Sequence, residues 1–294
     1  MNHPYAIVMN GLLVGGDEVQ PPVPWWSFTK TILAAASLVL VRDGRLELTE
    51  QIAGQRYSLR QLLRHTAGLA NYTDLNDYQP AVESAAQPWS VEEMLARVDA
   101  ERPPFEPGTM WKYSNLGYFY VRRLIEETTG QAIGQALNDL VFRPLHIDKV
   151  WLGTQPDDMA HTVWGNPTDY DPRWVYHGLL IGPPVAAAAT LDRLLRGDLL
   201  PPHLLAEMRD SVALGHEIPG RPWIDFGYGL GLMTAAGPIG RCLGHTGHGL
   251  TSVAAVYHFA DFEPARTVAV FSSGGDQAEV EWLAVERASS IDRC

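Results

Sequence analysis

Residues 228–233, 241–244, 251–259 and 267–272 read as four consecutive strands joined by short connections. Strands so close in sequence, without crossover segments between them, pair antiparallel. The chain also begins with a β-rich run, YAIVMNGLLV, in which Asn10-Gly11 marks a tight turn. A chain with β structure at both ends and helical patterns between them is strongly constrained. The early run is placed to join the late strands in one antiparallel sheet, with the helical middle inserted as a separate lobe. The fold class is α+β, a sheet flanked by N- and C-terminal helices.

The helical middle is punctuated clearly. Pro21, Pro22 and Pro24 stiffen a short extended segment, and residues 27–40 then turn helical, with Gly44 where the chain leaves. Ser58 is placed as N-cap of LRQLLRH, which ends near Gly68. Ser90 and Glu93 have capping-box spacing for a helix through Val98. A loop containing Pro103, Pro104, Pro107 and Gly108 leads to Tyr113-Ser114-Asn115. A helix over 116–128, closed by Gly130, and another over 133–142 follow. Residues 151–184 are rich in Pro, Gly, Asp and Trp, show no period, and read as irregular. Helices resume at 190–195 and 202–208, and a last one covers 279–290. The division expected is a single domain, 1–294, with an α/β part of about 1–57 and 211–294 and a helical lobe of about 58–210.

Length and charge narrow the function. A chain of 294 residues buries a substantial core, and its formal net charge of −12 repels nucleic acid and anionic membranes. No stretch is long and apolar enough to span a bilayer, and residues 1–20 lack a basic segment followed by an apolar run, so the chain reads as cytoplasmic. Cys242 and Cys294 form no disulfide framework, although one bond between them is open.

Three short motifs carry chemistry. The first is Ser27-Phe28-Thr29-Lys30. At a helix start, residues three apart share a face, so the Lys30 amine lies near the Ser27 hydroxyl. A serine hydroxyl needs a base, and a lysine serves as one when burial lowers its pKa. The chain has three lysines and twelve serines, so this spacing alone is modest evidence; a capping serine followed by a solvated lysine gives the same pattern. The second motif is Tyr113-Ser114-Asn115, in which a tyrosine passes a proton and an asparagine hydrogen-bonds a substrate carbonyl or amide. A core tyrosine and a helix-capping asparagine are the alternative. The third is Gly244-His245-Thr246-Gly247-His248-Gly249, after a strand. Its glycines admit a close approach, and a backbone N–H there completes an oxyanion hole with that of Ser27. A glycine-rich turn explains it equally. Metal binding by His245 and His248 lacks a third ligand at suitable spacing.

The three motifs in this order resemble the serine β-lactamase and penicillin-binding protein superfamily, and the S-x-x-K signature is one of its marks. The similarity is to the class C-like branch, which also holds esterases, D-aminopeptidases and DD-carboxypeptidases. It extends through WWSFTKTILAAASLVLVRDGRLEL, YSLRQLLRHTAGL, PGTMWKYSNLGYFYVRRLIEETTGQ, FGYGLGL and GHTGHG, nearly the whole chain. The resemblance implies a β-lactamase/transpeptidase-like fold. Ser27 is then the acylated nucleophile, Lys30 its base and Tyr113 the second acid/base group. Asn115, His245, Thr246 and Gly247 bind substrate, and the backbone N–H groups of Ser27 and His248 form the oxyanion hole. It implies neither metal nor organic cofactor. The partner is a small ester, amide, D-amino-acid peptide or β-lactam, and no oligomeric state follows.

There are departures from the family pattern. His245 stands where β-lactamases of this branch carry lysine, which weakens the hold on a substrate carboxylate and favours esters or neutral amides. The usual leading helix is missing, and GLLIGPPVAAAAT lacks the expected texture. Trp25, Trp26, Trp111, Trp164, Trp174 and Trp223 line an acyl pocket or belong to the core. His65 is expected to stabilise a helix end. The function expected is a serine hydrolase working through an acyl-enzyme. A non-turnover module of the same fold, binding penicillin or peptidoglycan fragments, is the alternative.

Overall fold

The computed structural model describes residues 3–293, so Cys294 lies outside the described residues. Strands β1 (Tyr5–Met9) and β2 (Leu12–Gly16) form the expected hairpin, with Asn10 and Gly11 at φ 51° and 77°, as a tight two-residue turn requires. The two-residue strand β3 (Val23–Pro24) and a 3-10 turn (Trp26–Phe28) lead into α1 (Thr29–Arg42). Helix α1 is buried continuously from Thr29 to Leu40. A helix apolar all round belongs in a core.

The capped helices form largely as expected. Helix α2 (Leu59–Leu63) begins with a full capping box between Ser58 and Gln61, but stops early because His65 takes φ 59°. Helix α3 (Tyr78–Glu83) had no clear signal in sequence. At α4 (Val91–Arg97), Ser90 accepts the Glu93 N–H at 3.1 Å. Only half of that box forms, because the Glu93 carboxylate pairs with Arg97 instead. Helix α5 (Asn115–Thr129) ends at Gly130 with φ 71°. Helix α6 (Ile133–Leu137) continues into one π-helical turn, Asn138–Phe142.

The stretch 151–184 corrects the sequence reading. It contains β4 (Trp151–Gly153), α7 (Pro156–Ala160) and β5 (Leu179–Gly182), and β5 lies between β3 and β4 in a small three-stranded sheet. Strands of two to four residues are too short to show a period. Helix α8 (Pro184–Arg196) also starts earlier than read, at a proline preorganised for a first helical position and followed by an alanine run. Helix α9 (Pro202–Arg209) closes the lobe.

The remaining strands are β6 (Val212–Glu217), β7 (Ile224–Tyr228), β8 (Met233–Gly237), β9 (Gly240–His248), β10 (Ser252–Phe259) and β11 (Arg266–Ser273), followed by α10 (Gln277–Ser289). The single strand expected over 228–233 is instead the hairpin between β7 and β8. Gly231 takes φ 70° there, and Gly229 N–H bonds Leu232 O at 2.8 Å. The main sheet is antiparallel, in the order β2-β1-β11-β10-β9-β8-β7-β6, so the first hairpin does join the last strand. Alternation divides the core between its two faces. Ala6, Val8, Ala254, Val256, Ala269 and Phe271 belong to the core shared with α1 and α8. Ile7, Val253, Ala255, Tyr257, Val268 and Val270 pack with Val280, Ala284 and Val285 of α10.

The β7–β8 hairpin is where sheet and helical lobe meet. Thr31 donates to Gly231 O at 2.7 Å, and a Cβ on Gly231 would lie 2.5 Å from that of Ala34. Gly231→Ala therefore combines a left-handed backbone with overpacking against α1. We expect it to cost about 2 kcal/mol or more, measured as a lower urea midpoint at unchanged m-value.

Candidate active site

The turn that carries Ser27 is held from two sides. From the small sheet, Leu180 O accepts the Trp25 N–H at 2.8 Å and Gly182 O accepts its indole N–H at 3.1 Å. Leu180 N–H in turn donates to Thr29 Oγ1 at 3.1 Å. From the main sheet, Ser252 Oγ accepts the Trp26 indole N–H at 2.9 Å. Strand β9 runs directly past the turn. A Cβ on Gly247 would lie 2.7 Å from Trp26 Cβ and 3.0 Å from Ser27 N, and one on Gly249 would lie 2.3 Å from the Trp26 ring. Gly247 therefore sits within β9, where the backbones need its missing side chain. The sequence reading had left open a turn after the strand.

Lys30 and Tyr113 converge on Ser27. Lys30 Nζ lies 3.2 Å from Ser27 Oγ, and the Tyr113 hydroxyl lies 3.0 Å from the same oxygen. Lys30 is fully buried on α1 and forms no ion pair with the described residues. Burial without a counter-charge holds its pKa well below the usual lysine value. Burial pushes the Tyr113 phenol up, and the bond to Ser27 partly opposes this.

Two buried histidines complete this part of the site. Sequence gave His65 a helix-end role, but the structure corrects its nature. Burial holds its pKa well down, so it is no cation for a helix terminus. Its Nδ1 accepts the Ser114 N–H at 3.1 Å, and its ring packs on Tyr113 with centroids 4.3 Å apart, which fixes the tyrosine loop. His177 was missed altogether. It follows a turn at Val175 and precedes β5, and its Nε2 lies 3.1 Å from Lys30 Nζ. Only a fold that brings β5 against α1 creates that contact, so no local motif announces it.

Strand β9 presents the third motif on two faces. Toward the helical lobe, His245 is buried. Its Nδ1 bonds Thr246 O at 2.7 Å, and its Nε2 bonds the Tyr228 hydroxyl at 2.9 Å. Burial lowers its pKa to about 3, so the ring is neutral. Toward α10, Thr246 Oγ1 lies 2.7 Å from the Tyr257 hydroxyl and donates to buried Glu281, which also pairs with Arg221. His245 and His248 are three residues apart on a strand and so point to opposite faces, with both His245 nitrogens occupied. That geometry overturns the metal alternative. Gly249 N–H bonds Ser252 O at 3.1 Å, and by alternation the His248 N–H faces away from β10, beyond the end of β8 and toward the cleft. Asn115 opens α5. Its side-chain amide donates to Asn71 Oδ1 at 3.1 Å, a partner that sequence did not indicate.

These groups border a cavity of about 460 Å³ that opens at Ser27. Its wall mixes aromatic rings, among them Trp26, Tyr72, Tyr78, Trp111 and Tyr170, with polar side chains such as Thr73, Gln79 and Asn115. Of the six tryptophans that sequence left undecided, Trp26 and Trp111 line this cavity. Trp25, Trp174 and Trp223 are core, and Trp164 packs at the edge of the core. Cys242 is a buried free thiol, raised in pKa first by desolvation.

An antiparallel sheet and an inserted helical lobe, with Ser27, Lys30 and Tyr113 clustered at their junction, form the β-lactamase-like fold that the motifs led us to expect. A family model described as Beta-lactamase matches residues 17–286, and the chain belongs to that family. The D-stereospecific amidohydrolase from Streptomyces sp. superposes with TM-score 0.79 at 24% identity, covering 99% of this chain and 94% of the other. The D-amino acid amidase from Ochrobactrum anthropi SV3 gives TM-score 0.79 at 21% identity, covering 97% and 94%. At these identities the likeness concerns the fold. A D-aminopeptidase from Cereibacter sphaeroides is 32% identical over 104 residues, which is 35% of this chain and 20% of that protein. Matched stretches span 20% to 36% of the curated relatives' lengths. No helix among the described residues is long and apolar enough to cross a membrane.

Three neutral imidazoles so deeply buried have a measurable consequence. His65, His177 and His245 all have lowered folded-state pKa values, while the unfolded chain protonates them near 6.5. Below that pH the unfolded state binds protons that the folded state refuses. The contribution of these rings is therefore intact above about pH 7.5 and falls as pH drops, by up to about 1.4 kcal/mol per pH unit per ring, on top of the slope that Lys30, also lowered by burial, adds from alkaline pH downward. Urea midpoints between pH 7.5 and 5, where few carboxylates titrate, should fall steadily; a flat profile would contradict neutral burial.

Proposed function

We propose that this protein is a serine hydrolase that forms an acyl-enzyme on a small ester, amide or D-amino-acid peptide. The observation that carries the reading is Ser27 Oγ held between Lys30 Nζ at 3.2 Å and Tyr113 Oη at 3.0 Å, at the mouth of that cavity. A lysine whose pKa burial holds well below the usual value is suited to act as a base. Lys30 takes the Ser27 proton as Oγ bonds the substrate carbonyl carbon and the π pair moves onto oxygen. The N–H groups of Ser27 and His248 receive that oxyanion. As the carbonyl re-forms and the bond to the leaving group breaks, Tyr113, protonated because burial disfavours the phenolate, gives that group its proton and regains one from the Lys30 ammonium. Water then releases the acid by the reverse sequence. Asn115, His245, Thr246 and Gly247 border the substrate.

The cavity favours an uncharged acyl group. Among the described residues lining it there is no carboxylate to pair with a free ammonium, and the one lining guanidinium, Arg221, is already paired with Glu281 behind Thr246. His245 is neutral and offers no charge to a carboxylate, which supports esters and blocked amides over β-lactams. The aromatic rings in its wall suit an apolar acyl chain.

The test is intact-protein mass spectrometry after exposure to a fluorophosphonate and, separately, to a penicillin, paired with turnover of p-nitrophenyl esters. The wild type should gain one adduct with the fluorophosphonate, and Ser27→Ala should gain none and lose turnover. Lys30→Met and Tyr113→Phe should each slow hydrolysis by about 10²- to 10⁴-fold. Ester turnover by Ser27→Ala near the wild-type rate would sink the reading. Acylation without release would favour the non-turnover binding module instead.

A further inference from the structure

Lys30 has one close neighbour that the proposed reaction leaves unused. His177 is 3% exposed, and its Nε2 lies 3.1 Å from Lys30 Nζ, the amine that also contacts Ser27 Oγ. Its Nδ1 is buried and meets no hydrogen-bond partner among the described residues. The ring is aimed by local backbone that tolerates little else. Gly178 takes φ 103°, and a Cβ there would lie 3.0 Å from the Leu152 side chain. Gly178 N–H closes the turn on Val175 O at 2.7 Å, and β5 begins at Leu179. Thus the strand that holds Trp25 and Thr29 also delivers His177 to the amine.

A neutral lysine amine has two N–H donors and one lone pair. To act as a base it must point the lone pair at the Ser27 Oγ–H, so its N–H groups must point elsewhere. The other groups facing Lys30 are the rings of Tyr113 and Tyr118, at 5.0 and 5.6 Å, and the imidazoles of His65 and His245. His65 Nδ1 already takes the Ser114 N–H, and both His245 nitrogens are engaged. Arg122 stands behind His177 on α5, bonded to Tyr176 O at 3.2 Å, and its charge disfavours an imidazolium. His177 Nε2 is therefore the acceptor in reach.

Resting on the reading of Ser27 and Lys30 above, we propose that His177 is the positioning residue of the base. Its neutral, Nδ1-protonated ring accepts one Lys30 N–H at Nε2 and turns the amine lone pair onto Ser27. When Ser27 Oγ bonds the carbonyl carbon, its proton moves to Nζ. The ammonium so formed keeps its bond to His177 and holds a proton to return through Tyr113. The imidazole itself changes neither charge nor tautomer.

The role predicts a pattern across substitutions. Glutamine places an amide oxygen where Nε2 stands; leucine fills the space without an acceptor; asparagine reaches only the Nδ1 position. The experiment follows the rate of fluorophosphonate labelling of Ser27, and kcat/KM for a p-nitrophenyl ester, across pH 5–9. His177→Leu should lower the plateau by about tenfold to a hundredfold, the cost of a misaimed base. It should also move the acidic limb to lower pH, because the ammonium loses an acceptor. His177→Gln should restore both. If His177→Leu does not fold, His177→Asn takes its place in the comparison. A purely structural role would lower the plateau and leave the limb where it was. The proposal is overturned if His177→Leu labels at the wild-type rate, if the limb stays put, or if His177→Gln is as slow as His177→Leu. A wild type that is not labelled at Ser27 overturns the reading of the site itself, and this proposal with it.

Discussion

Everything around the cleft depends on one unusual burial, a lysine amine with no carboxylate beside it. A charged ammonium in a dry interior costs several kcal/mol unless paired, so burial drives the Lys30 pKa well below its usual value and toward the neutral amine. Its surroundings fit that state. Three imidazoles and two phenols face it, all neutral for the same reason, and its direct contacts are Ser27 Oγ and His177 Nε2. A carboxylate placed among them would restore the ammonium and remove the base. Aromatic and imidazole walls make the interior polar enough to hydrogen-bond the amine without charging it.

Such an arrangement works only if backbone segments remote in sequence meet within tenths of an ångström. The glycines show where they do. Gly247 lets β9 pass against the Ser27 turn, and Gly231 lets the β7–β8 hairpin touch α1 one turn beyond Lys30. From the other side, β5 takes up the polar groups of Trp25 and Thr29. The nucleophile turn is thus gripped between two sheets. Its Trp26 sits at φ 45°, a conformation that only surrounding contacts hold in place.

How much of this was legible in sequence follows from the range of each interaction. The Asn10-Gly11 hairpin, the Ser58 cap, the Gly130 stop and the long strands β10 and β11 are encoded within a few residues and could be read directly. Ser27, Lys30 and Tyr113 were legible because the first two share a helix turn and the third sits in a recognisable segment. His177 was not, since its role exists only after β5 docks on α1. The small sheet stayed hidden because β3, β4 and β5 are shorter than a detectable period. The break at Gly229 and Gly231 was missed because glycines inside an apolar run look like strand until the hairpin's φ values are known. His65 was noticed but misjudged: a histidine near a helix end suggests a cation until burial makes it neutral.

The same reasoning bears on Thr246. Its hydroxyl, on the face of β9 opposite His245, donates to a Glu281 carboxylate that is fully buried and already bound by Arg221 and near the Tyr257 hydroxyl at 3.4 Å. The Thr246 hydroxyl proton is therefore committed to that carboxylate. Thr246 then presents oxygen lone pairs rather than a proton to the cleft, while Arg221, half of a neutral pair, borders the same cavity. The α10 side of the site is consequently organised as a fixed dipolar network, and the α1 side as neutral imidazoles around an amine. Ser27 thus sits between a wall in which the guanidinium of Arg221 is tied to Glu281 and one in which the Lys30 amine meets an imidazole rather than a carboxylate.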